Sequence, residues 1–248
     1  MTARYDRIGA GYAATRREDP DLKARIHAAL GAARTVVNVG AGAGNYEPRD
    51  RHVVAIEPSD VMAAQRPREL APAIRASAEA LPLRDGAVDA AMAVLTIHHW
   101  DAGQERGVRE LRRVARDPVV VVTYDAAVAA RMWLMDYLPE VAELDRRIFP
   151  PPERVADWLG GARVEVVEHA RDTPDWNLGS FWAHPERVLD EAARRATSGF
   201  ARMPAAVVER VVRAVERDLA SGAWDARYGH LRELASYDAG LRLVVGGG

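Results

Sequence analysis

The chain has no cysteine, and its only lysine is Lys23, beside 33 arginines. Without cysteine there are no disulfides and no thiolate metal sites. The seven histidines never stand four residues apart, so no helical metal pair is encoded. With its one lysine upstream of every glycine-rich turn, the chain can form neither a Gly-Lys-Ser/Thr phosphate loop nor the Tyr-x-x-x-Lys pair of many dehydrogenases. No run approaches 18 apolar residues, and the N-terminal MTARYDRIGAGY lacks the apolar centre of an export signal. A soluble cytoplasmic protein with no membrane partner is expected. The 34 basic and 36 acidic residues are interspersed and give a net charge of −2, which offers nucleic acid no electrostatic footprint.

What is present is enough for one sizeable core: 248 residues, 48% of them hydrophobic, read as a single domain spanning 1–248. Residues 20–31 read as a helix opened by Pro20 and Asp21 and stopped by Gly31. Short apolar runs then appear at 35–39, 53–56, 88–95 and 118–123, alternating with helical segments near 59–66 and 104–115. Buried strands alternating with helices predict an α/β fold, a Rossmann-like and mostly parallel sheet with helices on both faces. Strand patterns return at 163–168 and 241–245. Between them, residues 170–238 read as a helical insertion before the last strand, with helices near 185–196 and 204–220, placed to act as a lid.

The most informative stretch is VVNVGAGAGNYEP, residues 36–48, where a strand breaks into three glycines. In an open parallel sheet the ligand sits outside the carboxyl ends of the strands, and glycine lets backbone approach it closely. A dinucleotide fingerprint needs Gly or Ala at position 45, where Asn45 stands, and Pro48 leaves room for one helical turn at most. A pyrophosphate would therefore lack its helix N-terminus. S-adenosylmethionine needs no such helix, and Glu57, ending VVAIEPSD, is placed to accept both hydroxyls of its ribose.

Taken together, VVNVGAGAGNYEP, AIEPSD, ASAEALPLRDGAVDAAMAVLTIHHW and RELRRVARDPVVVVTYD resemble the class I S-adenosylmethionine-dependent methyltransferases, particularly the small-molecule branch known as type 11. The resemblance implies S-adenosylmethionine as cofactor and S-adenosylhomocysteine as product. It implies that Gly40, Ala41, Gly42 and Gly44 line the methionine and ribose, Glu57 the ribose diol, and Ser77 and Ala78 the adenine. Asn38, Pro58 and Leu95 complete this cofactor set, and Tyr12 and Arg17, in a segment that resembles the family's N-terminal cover, would reach the cofactor carboxylate. Asn38 departs from the acid that usually opens the first motif, Ser77 from a common Asp, and the first crossover is abbreviated.

Methyl transfer from a sulfonium is an in-line displacement that needs positioning and, for oxygen or carbon acceptors, a general base. His98 and His99, in LTIHHW, stand at the ligand-bearing end of the predicted strand at 88–95. If strand alternation persists there only one faces the pocket, and His99 is favoured over His98. Asp125 is a further candidate base, and equally reads as a helix N-cap. Trp133, Met135, Tyr137, Trp176, Phe181 and Trp182 are candidate walls for an apolar or aromatic small-molecule acceptor, and equally candidate core. The Asn/Asp-Pro-Pro-aromatic motif of base-amino methyltransferases is absent, as are the clustered carboxylates of metal-dependent catechol enzymes. The expected function is methylation of O, N or C of a small metabolite, with natural-product tailoring as a setting. The alternatives are a protein that binds the cofactor without methylating and, disfavoured by Asn45, a nicotinamide oxidoreductase.

Overall fold

The computed structural model describes residues 17–247; Tyr12 lies outside them. The chain opens with α1 (Pro20–Ala29), β1 (Thr35–Val39), β2 (His52–Ile56), α2 (Asp60–Ala63), β3 (Ala90–Val94), α3 (Gln104–Val114) and β4 (Val119–Tyr124). It continues through four helices, α4 (Ala126–Ala129), α5 (Leu134–Tyr137), α6 (Pro139–Ile148) and α7 (Pro152–Trp158), into β5 (Ala162–Val166) and β6 (His169–Ala170). Helices α8 (Glu191–Arg195), α9 (Ser198–Ala201), α10 (Ala205–Ser221) and α11 (Ala223–Tyr228) precede β7 (Ser236–Tyr237) and β8 (Leu241–Gly246).

Six strands form one sheet in the order β2-β1-β3-β4-β8-β5. The pairs β1–β2, β1–β3 and β3–β4 are parallel, whereas β8 runs antiparallel to both β4 and β5. Central strands buried on both faces have no polar side, which is why they read as continuous apolar runs. Alternate residues go to opposite faces. Val37, Val39, Ala91, Val119 and Val121 pack beneath Val108 and Leu111 of α3 and Val155 of α7. Val36, Met92, Val120 and Val122 meet Leu22 and Ile26 of α1.

Before the last strand lies the helical insertion, built around a core of its own. Trp182 and Trp224 are fully buried there with Phe181, Val211 and Val215. That core also takes in Met132 to Ala142 from the segment after β4, so the cap is assembled from two stretches of chain. Helix α10 carries the apolar stripe expected of 204–220 and stops at Gly222, whose φ of +77° is the left-handed cap conformation. The segment at 185–196 is more broken than its periodicity suggests. Asp190 accepts from the Ala192 and Ala193 amides and starts a fresh short helix there.

Among the described residues, no helix is long and apolar enough to cross a membrane.

Candidate functional site

Strand β1 delivers the glycine loop to the carboxyl end of the sheet, where a cleft of about 1080 Å³ opens. The loop leads into a crossover with no helix at all, consistent with the space left before Pro48. Two of its amides, those of Gly40 and Ala41, donate to the Ile56 carbonyl at 2.9 and 3.0 Å, closing the loop onto β2. Gly40 has a φ of +71°, and a Cβ there would lie 2.1 Å from Thr96 Oγ1, so no other residue fits without displacing the neighbouring strand end.

Glu57 ends β2 and is buried. One carboxylate oxygen accepts from the Gly42 amide and the other from the Ser59 amide, both at 2.8 Å. Its two oxygens are thereby aimed. The cleft is walled by Asn38, Gly40, Ala41, Gly42, Glu57, Pro58, Ser77, Ala78, Leu95 and His99 of the expected set. Gly44 is absent from the lining: the position of its missing Cβ faces Leu70 Cδ1 at 2.3 Å, so its close approach is to protein. Arg17 is exposed.

The residues fit S-adenosylmethionine. The charged groups lining the cleft are Glu57, Glu79, Asp101 and Arg106, three acids against one base, which suits a sulfonium ligand and opposes a pyrophosphate. Backbone of the glycine loop would hold the amino-acid end, Glu57 the ribose, and Met62, Ala76, Ala78 and Trp100 offer apolar surface to the base.

Beneath the loop lies a group the sequence did not reveal. Asn38, 2% exposed, donates through Nδ2 to Glu47 Oε1 at 3.0 Å. Glu47 is paired with Arg66 at 2.9 Å, and both side chains are buried. Arg66 also donates to the carbonyls of Gly42 and Ala71. The carboxylate missing at position 38 is thus supplied by Glu47 from the abbreviated crossover. Next to it, Tyr46 has a φ of +66°, uncommon for a bulky residue. Its amide donates to Glu18 at 2.7 Å and its hydroxyl donates to Asp175 at 3.2 Å, tying the crossover to the insertion.

A second, smaller cavity of about 70 Å³ lies between the sheet end and the cap. Its lining includes Leu95, His98, Tyr124, Met132, Met135, Asp145, Phe149 and Asn177. Leu95 borders both cavities and carries a φ of +51°. For a residue of that bulk the left-handed region is strained by about 1–3 kcal/mol, and such strain concentrates at functional sites.

The two histidines divide between the cavities: His98 borders the small one and His99 the cleft, their ring centroids 3.8 Å apart. Strand β3 ends at Val94 and Ile97–His99 form a 3-10 turn, so the period-2 rule no longer applies and both reach ligand space. His98 is buried and stacks on Phe149 at 4.3 Å.

Asp125 borders neither cavity; it caps α4, accepting from the Ala127 and Val128 amides at 2.9 and 3.3 Å. Trp133, Tyr137, Trp176 and Trp182 also border neither, because the cap needs them as its own core. Trp133 Nε1 donates to the Trp182 carbonyl at 2.9 Å, and Tyr137 donates to Asp218 at 2.8 Å. The cavity takes its walls instead from methionines and from Phe149 and Tyr124.

Asp145 of α6 is the other residue the sequence concealed. Burial pushes its carboxyl up to about 7, against the opposing pull of Arg202. On the facing wall the Tyr124 hydroxyl donates to Asn177 Oδ1 at 2.8 Å, and His169 Nε2 lies 3.1 Å from both groups. Burial lowers the His169 pKa, so its ring is neutral in the folded protein.

Residues 37–123 match the family profile described as a methyltransferase domain. A search of curated protein sequences returned no match. Among solved structures, the chain is similar to one described as a methyltransferase from an antibiotic biosynthesis pathway of Anabaena variabilis. The identity is 29% and the TM-score 0.87, over 94% of this chain and 99% of that one. The fold is also shared with a phosphoethanolamine N-methyltransferase of Haemonchus contortus, 11% identical at a TM-score of 0.53, over 92% of this chain and 52% of that one. The sheet order, the acid-rimmed glycine loop and the matched segment agree, and together they support a class I S-adenosylmethionine-dependent methyltransferase.

Proposed function

We propose that the protein methylates a small-molecule acceptor whose reacting atom enters the small cavity while the cofactor occupies the cleft. The observation that carries this is Leu95, a strained residue bordering both spaces at the end of β3. When bound, S-adenosylmethionine supplies an electrophilic methyl group. The chain's part is positioning and exclusion of water, which the buried walls of the small cavity favour. His98, buried and bordering the acceptor side, is the group placed to take a proton from the acceptor. His99 borders the cofactor side and is assigned to binding. The helical insertion serves as the cover of the acceptor cavity, since Asn177, Leu178, Thr197 and Ser198 border it. The likeness to a protein described as belonging to an antibiotic pathway supports a setting in natural-product tailoring.

The test is an acceptor screen with radiolabelled S-adenosylmethionine, followed by the two histidine variants on any substrate found. His98→Ala should lower turnover by about 10²-fold or more, as loss of a general base does, with cofactor affinity within about twofold. His99→Ala should do the reverse, weakening the cofactor with less effect on turnover. Equal turnover of His98→Ala and wild type would remove the base assignment.

A further inference from the structure

The small cavity has one formal charge on its walls and it is negative: Asp145, with no lysine or arginine bordering the space. Three of the other polar groups there, Tyr124, Asn177 and Thr197, are already engaged within the protein. Tyr124 bonds Asn177, and Asn177 Oδ1 also accepts from the Ser180 amide at 3.2 Å. Thr197 donates to the Arg194 carbonyl at 3.0 Å. The Asp145 carboxylate makes no side-chain hydrogen bond among the described residues, although burial raises its pKa to about 7. A desolvated carboxylate without a donor is expensive to keep in a fold. The remaining walls suit the partner it lacks. Phe149 and Tyr124 meet edge to face with ring centroids 5.9 Å apart, and Met132 and Met135 add polarizable sulfur. Aromatic faces attract cations and do nothing for anions.

Resting on the reading of this cavity as the acceptor site, we propose that the acceptor carries an amine, and that Asp145 is the specificity-determining residue that pairs with its ammonium. An acceptor presenting a carboxylate or phosphate here would meet a like charge on the wall, since Arg202, the cation that acts on Asp145, does not border the space. The size of the space limits what enters: 70 Å³ admits a branched group of a few heavy atoms. That is about half the volume of an engineered 150 Å³ cavity that takes benzene.

The probes are therefore isobutylamine, isobutanol and isobutyrate, which share one branched four-carbon skeleton and differ in charge. Protein labelled at the methionine methyls reports both sites in one NMR spectrum. Met62 borders the cofactor cleft, and Met132 and Met135 border the small cavity. At pH 8, with S-adenosylhomocysteine present, isobutylamine should move Met132 and Met135 with at least tenfold tighter apparent affinity than isobutanol. Isobutyrate should leave them in place. In Asp145→Asn the advantage of the amine over the alcohol should disappear, with the Met62 response to S-adenosylhomocysteine intact. The proposal is overturned if isobutyrate binds as well as the amine, if the amine preference survives Asp145→Asn, or if none of the three moves Met132 and Met135 while Met62 responds. Failure of Met62 itself to respond would instead strike the cofactor assignment.

Discussion

The two halves of the site are built from different materials. The cofactor cleft is made of backbone and of short-range contacts at strand ends: Gly40 against Thr96, Glu57 against the Gly42 and Ser59 amides. The cavity proposed for the acceptor is made of side chains from β4, α6, the 3-10 turn after β3 and the cap, brought together only by tertiary packing. A backbone site leaves its mark in a run of neighbouring residues, whereas a side-chain site assembled from distant elements does not. The comparison also separates what can vary. A cofactor is constant across many enzymes, so its half of the site is local and fixed, while on the proposed reading the cap is the part free to change acceptor.

The sharpest way to break the comparison is to damage each half and look for effects in the other. Trp182, fully buried, belongs to the cap core, so Trp182→Ala should cost about 4 kcal/mol of stability in denaturant unfolding. Cofactor affinity of the fraction still folded should stay near wild type in calorimetry. A tenfold loss of cofactor binding there would show that the cap core and cleft are one energetic unit, as the Tyr46 to Asp175 hydrogen bond would permit.

Asn38→Asp, which restores the acid more usual in this family, comes next. It would place a second carboxylate 3.0 Å from Glu47 in a buried setting that has one cation, Arg66. The expected loss is about 3 kcal/mol, since an uncompensated buried charge carries a cost of that order. Glu47→Gln added to Asn38→Asp should recover most of it. A double variant no more stable than the single would refute the exchange of the acid between positions 38 and 47.

Glu57→Ala should weaken S-adenosylmethionine binding at least tenfold, or about 1.4 kcal/mol. Glu57 also fixes the Gly42 amide, so the loop loses an anchor as well as the ribose its acceptor. Glu57→Gln separates the two: it keeps one acceptor oxygen and should recover part of the affinity. Unchanged affinity in Glu57→Ala would remove the ribose assignment.

These residues also mark how far the sequence could be read. The strand runs, the glycine loop and the shortened crossover were legible because each is a local pattern, and Glu57 because it directly follows an apolar strand run, although the Gly42 amide it fixes is 15 residues away. Glu47 was hidden because its partner Arg66 is 19 residues away, and an acid after Asn-Tyr reads as solvated. Asp145 was hidden in PEVAELDRRI, where an amphipathic helix gives every acid the appearance of a surface charge. The aromatic residues of the cap were ambiguous for a different reason. Apolar bulk fills a core or a pocket equally well, and the cap, packing far from the sheet's own layers, took Trp133, Trp182 and Trp224 for itself.

The smallest expected effect tests whether the acceptor half is held at a cost. Asp145 has its carboxyl raised from the ordinary 3.8 to about 7 by burial. The folded state therefore binds a proton more tightly than the unfolded state does. Stability is fully present below pH 4 and is lost as pH rises from about 4 to 7, after which the loss is constant. Asp145→Asn removes that loss. Its Tm should match wild type near pH 4 and exceed it at pH 8. A structural acid would give the opposite sign, with the variant less stable at pH 8. If the variant is more stable where the carboxylate is ionised yet loses the preference for amines, Asp145 is retained for its ligand at the expense of the fold.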